Sequence, residues 1–406
     1  MKRIAMVNVF GTIPGESGYS RSHYFCKYLA EAGYQVDFIV GTFNHWKKAY
    51  KDKELYSTAE VPYNIVCLDN TSYSKNISFK RMKSQMVFAR NLKEYFNNKD
   101  GYYDMVINEI PPAEVCLKCI EYCRRNGIPY LIDVNDLWPE AFSMVIKNKF
   151  LCYLLTTPIR IAANKVYAEV DGIIGTSETY TNRPLLVNKK NPKKTTVFVG
   201  TDIDDFDSGI IEFGKDVEKP ENEFWVTYAG SLGTSYDIHT MMKAGGILKD
   251  RGYKDIKMIV LGDGPLRAEF EATGRECGCN SSYSGFIPYR KMAAYLSKSD
   301  ILLNSFVRKA PQSIVNKIGD YLSAGKPMIN TCSDPEFRNM VETMRFGENV
   351  IAEDSVALAN LIEKLYKNPE LCSEYSKTAR HIAETKFDRK VSYQDVVKLV
   401  RDFIGE

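Results

Sequence analysis

The sequence lacks several features that mark specialised classes of protein. It has no run of 18 apolar residues, and the best candidate, Phe150–Val170, is interrupted by Arg160 and Lys165, so we expect no membrane-spanning helix. The N-terminus has only a short apolar run before a Gly/Pro loop, which argues against a secretory signal peptide. Positive charge barely exceeds negative charge, with 54 Lys and Arg against 51 Asp and Glu and a net charge of +3. This balance gives no reason to expect a nucleic-acid partner.

Histidine is scarce, and the cysteines are not spaced as a disulfide framework. Four histidines and 10 cysteines occur in 406 residues. Cys116, Cys119 and Cys123 fall at positions i, i+3 and i+7, which share one face of a helix, and free cysteine packs there as a small hydrophobic residue. No histidine lies near them to complete a metal site. We therefore expect reduced thiols, no bound metal and a cytoplasmic location.

Length and hydrophobic patterning predict two α/β domains. A chain of 406 residues with 44% hydrophobic side chains is too long for one compact core. Short apolar runs alternate with stretches of helical period, which is typical of parallel α/β layers. Strands are predicted in RIAMVNV, QVDFIVG, YDMVIN, YLIDV and GIIGTS of a first series, and in FWVTYAG, IKMIVLG, SSYSGF, DILLNS and KPMIN of a second.

The boundary between the domains is placed where the composition changes. The chain turns acidic and irregular between Gly200 and Lys219, and we assign residues 1–205 to the first domain and residues 206–387 to the second. From about residue 388 the sequence is typical of one amphipathic helix. That helix either closes the second domain or packs back on the first.

A local excess of positive charge lies between Lys47 and Lys93, in the segments HWKKAYKDK and FKRMK. Such a cluster is often a solvated helix face. The mixture of Lys and Arg with Trp, Tyr and Phe is also found on segments that lie at membrane surfaces. Attraction to anionic lipid or to phosphate is therefore the second interpretation.

Glycine-rich turns follow two strands of the second series. Gly230 and Gly233 follow one strand, and Gly262 and Gly264 follow the next. Glycine lets backbone N–H groups approach a ligand closely, and a helix N-terminus favours an anion. Neither turn has the G-x-G-x-x-G pattern of dinucleotide-binding enzymes. Tight strand-to-helix turns also need glycine, so each turn alone is weak support for a phosphate site.

A cation and a carboxylate occur three residues apart in the segment VNKIGDYLSAGKPMIN. If a helix begins near Ser313, the amides of Ile314 and Val315 are free for phosphate oxygens, and Lys317 adds a positive charge. Asp320 lies one turn further along the same face, where a carboxylate suits the two hydroxyls of a ribose. The alternative is an ordinary surface ion pair.

The order of the motifs resembles a known family. YAGSLG, VLGDGP, SGFIPYRKM, NSFVRKAPQS, NKIGDYLSAGKP and FGENVIAEDSVALANLIEKLYKNPEL occur in the order and spacing of the family 4 glycosyltransferases. The segment LIDVNDLWPE resembles the branch common in bacterial O-antigen and capsule assembly. The resemblance implies the GT-B fold, an α/β architecture of two facing Rossmann-like domains with a cleft between them. It also implies a retaining, nucleotide-sugar-dependent transferase.

The resemblance implies that the second domain holds the nucleotide sugar. Asp320 takes the place of the glutamate that holds the ribose, and Gln312 takes the place of the glutamate that meets the donor sugar. The segment beginning Phe286 and Ile287 matches the backbone that reads the base. Aspartate is shorter than glutamate, and glutamine lacks its charge.

This chain departs from many relatives at the diphosphate. Where they carry Arg and Lys, it has Ser231 and Tyr236. The resemblance then requires the charge to come from Arg308, Lys309 or Lys317, or from backbone amides alone. The donor-binding candidates are Gly18, Gly230, Ser231, Gly262, Phe286, Ile287, Arg308, Gln312, Ser313, Ile314, Lys317 and Asp320.

In the first domain the resemblance points to two catalytic candidates. The loop GESGYSR, which contains Gly18, approaches the diphosphate, where Arg21 neutralises it or a phosphate on the acceptor. Asp136 lies where relatives often carry a polar side chain against the reacting sugar, and its alternative role is a helix N-cap. The Asp-x-Asp in DIDDFD matches a linker segment of the family, so we expect no metal.

The function expected from the sequence is sugar transfer from a nucleoside diphosphate, UDP by default, to a hydroxyl group. No cofactor is expected, because the nucleotide sugar is the substrate. The expected partners are this donor, a saccharide or lipid-linked saccharide acceptor, and an anionic membrane surface touched peripherally, in bacterial surface polysaccharide or glycolipid assembly. The alternatives are a nucleotide-sugar epimerase of the same fold and a catalytically inactive glycosyltransferase-like subunit.

Overall fold

The structure is a computed structural model that describes residues 1–16, 21–144, 146, 148–310 and 314–405. It divides into two compact units. The first comprises Met1–Val197 and Tyr393–Glu406, and the second comprises Phe198–Ser392. The first unit therefore ends at Val197, whereas the sequence places the boundary at residue 205.

Each unit contains one parallel β-sheet whose strand order reverses once. In chain order the strands are β1 Arg3–Asn8, β2 Gln35–Gly41, β3 Phe43–Asn44, β4 Ala49–Tyr50, β5 Asn64–Leu68, β6 Met105–Ile110, β7 Tyr130–Val134, β8 Gly172–Gly175, β9 Lys193–Thr196, β10 Phe224–Ala229, β11 Ile256–Leu261, β12 Ser281–Gly285, β13 Ile301–Asn304, β14 Met328–Asn330 and β15 Gly347–Asn349. The sheet orders are β5-β2-β1-β6-β7-β8-β9 and β12-β11-β10-β13-β14-β15, and β3 pairs with β4. The order reverses between β1 and β6 and between β10 and β13, which is where open α/β sheets bind ligands.

Helices follow most of the strands. In chain order they are α1 Arg21–Glu31, α2 Lys53–Thr58, α3 Phe79–Asn97, α4 Ala113–Asn126, α5 Lys149–Tyr167, α6 Glu178–Asn182, α7 Ile203–Phe213, α8 Ile238–Asp250, α9 Arg267–Glu276, α10 Tyr289–Lys298, α11 Lys317–Ser323, α12 Pro335–Met344, α13 Ser355–Tyr366, α14 Pro369–Ile382, α15 Arg389–Ser392 and α16 Gln394–Ile404. Within the described ranges, no helix combines the length and the hydropathy needed to span a bilayer.

Helix α4 buries the cysteine face. Cys116 and Cys119 are 0% exposed and Cys123 is 3% exposed, and all three are free thiols in the core of the first unit. Burial raises the pKa of each thiol above its ordinary value. The prediction of a buried small-residue face is confirmed.

The acidic segment after Gly200 is not the irregular link that the composition suggests. Residues 203–213 form helix α7, and the side chain of Asp202 accepts a hydrogen bond from the Asp205 amide at 3.1 Å. Asp204 and Asp205 lie in the first turn, where negative charge interacts favourably with the helix dipole. The aspartates that resemble a linker are thus the N-terminal signal of a helix.

The C-terminal segment is two helices rather than one. Helix α15 belongs to the second unit, and α16 belongs to the first, where it contacts α1 and β9. The break falls at Tyr393, whose side chain is 0% exposed and packs edge-on against Phe25 with ring centres 4.8 Å apart. The single helix predicted for this segment is therefore interrupted at a buried residue, Tyr393.

Helices α7 and α10 pack closely because Gly209 has no side chain. A Cβ at Gly209 would lie 2.6 Å from the Arg290 backbone. Gly209→Ala gains about 1 kcal/mol in helix propensity, but the backbone of α10 must move to admit the methyl group. We expect a net loss of about 1–3 kcal/mol, as for other overpacked sites, measured as a lower urea midpoint.

The matched control is Ser208→Ala in the same helix. Ser208 is exposed, and its hydroxyl bonds only to the Asp204 carbonyl of its own helix. This change should leave the midpoint nearly unaltered. Equal midpoints for Gly209→Ala and Ser208→Ala would contradict the close packing described for α7.

Candidate functional site

Loops of the second unit are joined side by side at the carboxyl edge of its sheet. The amide of Gly230 donates to the Leu261 carbonyl, and the amide of Gly262 donates to the Gly285 carbonyl, each at 2.9 Å. Gly230 has φ 148° and Gly262 has φ 136°, and a Cβ on Gly262 would lie 2.0 Å from the Gly230 oxygen. The close contact between neighbouring loops therefore explains by itself why glycine is needed at Gly230 and Gly262, the positions predicted to admit a ligand.

The ammonium group of Lys317 lies inside the second unit. Its Nζ is buried and has no hydrogen-bond partner among the described residues. It lies 4.1 Å from the centre of the Tyr228 ring and 4.3 Å from that of Tyr236, with Phe306 at 5.6 Å. A Cβ on Gly230 would be 2.9 Å from it. Lys317 is thus held between aromatic faces beside the first glycine turn.

This environment is costly for a cation. Burial lowers the pKa of Lys317 to about 7. A desolvated charge without a partner costs several kcal/mol, and cation–π contacts return only about 0.5–2 kcal/mol. The arrangement is the one expected of a group that a negatively charged ligand neutralises on binding.

Asp320 is held by two hydroxyl groups. Thr201 and Tyr289 both donate to its Oδ1, each at 2.8 Å. Its Oδ2 has no hydrogen bond to any described residue. Burial raises the pKa of Asp320 above its ordinary value, and the two hydroxyl bonds act in the opposite direction. One carboxylate oxygen is therefore fixed by two hydroxyl groups, while the other forms no hydrogen bond with a described residue.

The glycine inside helix α11 allows the chain to approach Asp320. A Cβ on Gly319 would lie 2.5 Å from the Thr201 hydroxyl and 3.0 Å from the Gly200 backbone. The segment at Gly200 is held in turn by Arg389, whose Nη2 donates to the Gly200 carbonyl at 2.9 Å. Gly319 thus brings Thr201 within hydrogen-bonding distance of Asp320.

Helix α11 begins later than the sequence predicts. It starts at Lys317 rather than near Ser313, and Ile314 is 8% exposed and packs in the core. The amides of Ile314 and Val315 are therefore not at a helix N-terminus. Gln312 and Ser313 lie outside the described residues, as does Gly18.

The other predicted donor residues lie near the same edge with different exposure. Ser231 is exposed, and its carbonyl accepts a hydrogen bond from Tyr228 at 2.8 Å. Phe286 is 85% exposed, whereas Ile287 packs against the core. Arg308 directs its Nη2 to the Ala352 carbonyl at 3.2 Å. Loops after β10, β12 and β13 supply these residues.

Arg21 is a buried ion-pair residue rather than an exposed cation. Its side chain is 0% exposed, as is that of Asp133, and its Nε lies 3.0 Å from Asp133 Oδ2. A second guanidinium nitrogen donates to Asp133 Oδ1 at 3.2 Å. Its charge is therefore paired within the first unit, which argues against the predicted role of Arg21 at a diphosphate.

Asp136 lies just beyond β7 and is not an α-helix cap. It accepts a hydrogen bond from Trp138 Nε1 at 2.9 Å, and the segment that follows is a 3-10 helix at Glu140–Met144. Burial raises the pKa of Asp136 above its ordinary value. Nearby, burial raises the pKa of Glu109 to about 8, with the charge of Asp133 as the second cause.

Sequence reasoning missed the neighbours that set these environments. They come from distant parts of the chain, namely Thr201, Tyr289, Tyr228, Phe306 and Glu109. Tyr228 and Phe306 stand at or just after strand ends of the second unit's sheet, which is the signal that would have placed them at its carboxyl edge. None has a local motif that indicates its partner.

With this geometry in view, comparison with known proteins identifies the second unit. Residues 210–382 match the family described as "Glycosyl transferases group 1". A stretch covering 40% of the chain is 22% identical to "Putative glycosyltransferase EpsD" of Bacillus subtilis (strain 168), and it spans 42% of that protein's length. The chain therefore carries a glycosyltransferase group 1 domain.

Solved structures match nearly the whole chain. Sucrose-phosphate synthase from Thermosynechococcus elongatus is 17% identical with a TM-score of 0.73, covering 99% of both chains. HepE of Anabaena, solved with UDP, is 16% identical with a TM-score of 0.71, covering 99% of this chain and 100% of HepE. WaaG, a glycosyltransferase involved in lipopolysaccharide biosynthesis, is 13% identical with a TM-score of 0.68, covering 99% of this chain and 100% of WaaG. This likeness confirms the GT-B fold.

The burial of Lys317 predicts a variant that is more stable than the parent. The folded pKa of about 7 lies below the ordinary 10.5, so between these pH values the unfolded chain binds one more proton than the folded chain. Stability of the parent then rises with pH by about 1.4 kcal/mol per unit. Lys317→Met should be more stable by on the order of 5 kcal/mol at pH 7, and this difference should vanish above about pH 10.5.

Urea unfolding at a series of pH values measures this difference. The exposed Lys243→Met in α8 removes the same charge from the surface and serves as control. If Lys317→Met is less stable than the parent at pH 7, the ammonium is not costly in the folded chain, and the buried environment assigned to it is wrong.

Proposed function

We propose that the protein is a retaining glycosyltransferase that moves a hexosyl or N-acetylhexosaminyl group from a UDP-sugar to a hydroxyl acceptor. The observation that carries this proposal is the buried, unpartnered ammonium of Lys317 beside Gly230, within the group 1 domain. A nucleoside diphosphate supplies the negative charge that this position lacks. HepE, which shares the fold, is solved with UDP and with UDP-glucose, which supports UDP as the nucleotide.

In this proposal Lys317 acts on the leaving group. The bond between the sugar carbon and the phosphate oxygen breaks, a bond to the acceptor oxygen forms on the same face, and the acceptor proton passes to the departing diphosphate. Negative charge grows on the diphosphate as the bond breaks. A preorganised ammonium in a site of low polarity stabilises that charge more than water does.

Asp320 and the exposed loop after β12 would bind the nucleoside. The free Oδ2 of Asp320 accepts from the ribose, while Thr201 and Tyr289 fix the carboxylate through Oδ1. Phe286 is exposed enough to contact a base, with Ile287 beside it. Gln312, Ser313 and Gly18 remain predicted donor contacts.

Asp136 would contact the reacting sugar or the acceptor hydroxyl from the first unit. It stands beyond the carboxyl end of β7, and Trp138 holds its carboxylate at one oxygen. Because its pKa is raised, Asp136 keeps a proton to higher pH than an exposed aspartate does. We assign no catalytic role to Arg21, because Asp133 neutralises it.

One assay separates this function from its rivals. UDP-sugars are incubated with and without a hydroxyl acceptor, in excess EDTA. Transfer that needs the acceptor and persists in EDTA is expected, because Lys317 supplies the positive charge that a metal would otherwise supply. Interconversion of the donor without acceptor would indicate an epimerase, and donor binding without turnover would indicate an inactive subunit. Complete loss in EDTA, restored by manganese or magnesium, would contradict metal independence.

Asp320→Ala should weaken donor binding. A hydrogen bond to a charged group contributes about 1.5–3 kcal/mol, so the donor dissociation constant should rise by roughly 10- to 150-fold. Calorimetric titration with UDP measures this change.

The control for Asp320→Ala is Tyr289→Phe. That variant removes one hydroxyl from Oδ1 and keeps the carboxylate, so it should lose stability but retain most of the affinity. Equal weakening by both variants would mean that Asp320 acts by supporting the loop rather than by binding the ribose.

We further propose a peripheral membrane location on the cytoplasmic face, in surface polysaccharide or glycolipid assembly. One surface of the first unit, here called the apolar-basic surface, exposes large apolar side chains between lysines: Trp46, Ile77, Phe79, Met82 and Met86 with Lys47, Lys80 and Lys83. None of these lysines forms an ion pair with a described residue. Such a mixture suits an anionic bilayer surface, to which each lysine contributes about 1 kcal/mol.

Sedimentation with vesicles tests this surface. Changing Lys47, Lys80 and Lys83 together to Glu should reduce binding to anionic vesicles at low salt by at least about tenfold. Lys48, also in the basic segment, is left intact because its ammonium bonds to the His45 carbonyl and to Asn76.

The matched control changes Lys377, Lys386 and Lys398, which are exposed elsewhere, to Glu. It alters net charge equally and should preserve most of the binding. No preference of the parent for anionic over neutral vesicles would make a soluble acceptor the better proposal.

A further inference from the structure

A second group of cations lies in the first unit and contains none of the residues predicted to bind the donor. It stands beyond the carboxyl ends of several strands. Phe10 follows β1, His45 and Lys48 lie in the turn between β3 and β4, Arg81 lies in the first turn of α3, and Trp138 follows β7. Their side chains meet in one cluster.

Arg81 lies between two aromatic rings. Its guanidinium carbon is 5.0 Å from the centre of the Phe10 ring and 5.1 Å from that of Trp138. Nη1 donates to the Asn76 carbonyl at 2.8 Å, and Nε is buried without a hydrogen-bond partner in the described chain. No described carboxylate forms an ion pair with it. The aromatic rings orient this cation and leave its charge uncompensated.

Lys48 is held beside Arg81 through Asn76. Its Nζ donates to the Asn76 side chain at 2.5 Å and to the His45 carbonyl at 2.6 Å. It has no ion pair with a described carboxylate, and its φ of 55° is unusual for a residue other than glycine. Lys48 therefore bonds to the side chain of Asn76 and Arg81 bonds to its backbone carbonyl, so the two cations share one partner residue.

His45 adds a neutral donor to the cluster. Its Nδ1 lies 2.6 Å from the Tyr73 hydroxyl and 3.4 Å from the Lys48 ammonium. An ammonium only donates, so Nδ1 accepts and the ring proton sits on Nε2. Burial, followed by the charges of Arg81 and Lys48, lowers the pKa of His45 to about 4. Nε2–H has no acceptor among the residues that the structure describes.

The cluster carries net positive charge. The carboxylate whose charge acts on Arg81 is Asp136, which makes no ion pair with it and instead accepts from Trp138. Two cations and a neutral N–H donor thus share a site with one carboxylate at its margin. Such a site gains free energy when an anion with several oxygens enters.

We propose that Arg81, Lys48 and His45 form a binding site for a phosphate group. A phosphate offers more oxygens than a carboxylate, and two cations and the Nε2–H of His45 belong to this one cluster. Within the proposed sugar transfer, on which this assignment of the ligand rests, the phosphate belongs to the acceptor. The apolar-basic surface begins at Phe79 and Lys80, next to Arg81, so a lipid phosphate and a soluble phosphate are both sources of the same group.

Calorimetric titration of the full chain with inorganic pyrophosphate, in saturating UDP, tests this site. UDP occupies the donor site, so the remaining binding reports on the first unit. Arg81→Met and Lys48→Met should each raise the pyrophosphate dissociation constant at least tenfold. Lys80→Met, which removes the neighbouring exposed charge on α3, should change it less than twofold.

Two results would overturn the proposal. The first is a Lys48→Met variant that folds and binds pyrophosphate as tightly as the parent. Because the Lys48 side chain is partly exposed, we expect this variant to fold. The other is loss of pyrophosphate binding in Lys317→Met alone, which would place all of it at the donor site. If UDP does not bind at all, the sugar-transfer function fails, while loss of pyrophosphate binding in Arg81→Met still establishes the site.

Vesicles distinguish the two sources of phosphate. Phosphatidylcholine vesicles with and without phosphatidic acid are sedimented with the parent and with Arg81→Met at moderate salt. Binding that needs both phosphatidic acid and Arg81 identifies a lipid-borne phosphate. Pyrophosphate binding that needs Arg81, with equal sedimentation of both proteins, identifies a soluble phosphate-bearing acceptor.

Discussion

A buried ammonium without a counter-charge is the constraint around which the second unit's site is arranged. Lys317 needs aromatic faces because no carboxylate in the described part of the chain neutralises it, and it needs Gly230 because a side chain there would lie against its ammonium. The glycine turns must then hydrogen-bond to one another to hold the open backbone in place. The free chain carries this cost, and a diphosphate would relieve it.

Both units have a sheet whose strand order reverses, but the charged groups at that point differ between them. In each sheet the strand order reverses once, so loops from neighbouring strands diverge and leave polar groups accessible at the carboxyl edge. The second unit presents one deeply buried cation there, with Asp320 on the same helix. The first unit presents two cations bridged by Asn76 and, further along the edge, a buried Glu109 whose pKa is raised by burial. Similar folds thus provide two separate anion-attracting environments.

The sequence predicts the elements well where hydrophobic periodicity is strong. Every strand predicted from an apolar run is present, whereas β3, β4, β5, β9 and β15 were not predicted. β9 and β15, with the sequences KKTT and GEN, have no apolar run, but the run in β5 was overlooked. The sequence also indicates Lys317 and Asp320, because their spacing is local. It does not indicate the ring of Trp138 on Arg81 or the hydroxyl of Thr201 on Asp320, because such contacts depend on packing between distant segments. Helix α7 was mistaken for a link because acidic capping residues resemble linker composition.

The contact between Tyr236 and Lys317 has a consequence for how such chains are classified. In this chain the ammonium comes from α11, and the Tyr236 ring packs against it at the position where the family resemblance leads one to expect lysine. A lysine introduced at position 236 alone would set two ammonium groups against each other, and loss of Lys317 alone would leave the loop without one. We therefore expect the effects of substitutions at the two positions to be coupled rather than additive. A comparison by sequence position would report that lysine is missing at 236. A comparison by location in the structure would find an ammonium group next to that position.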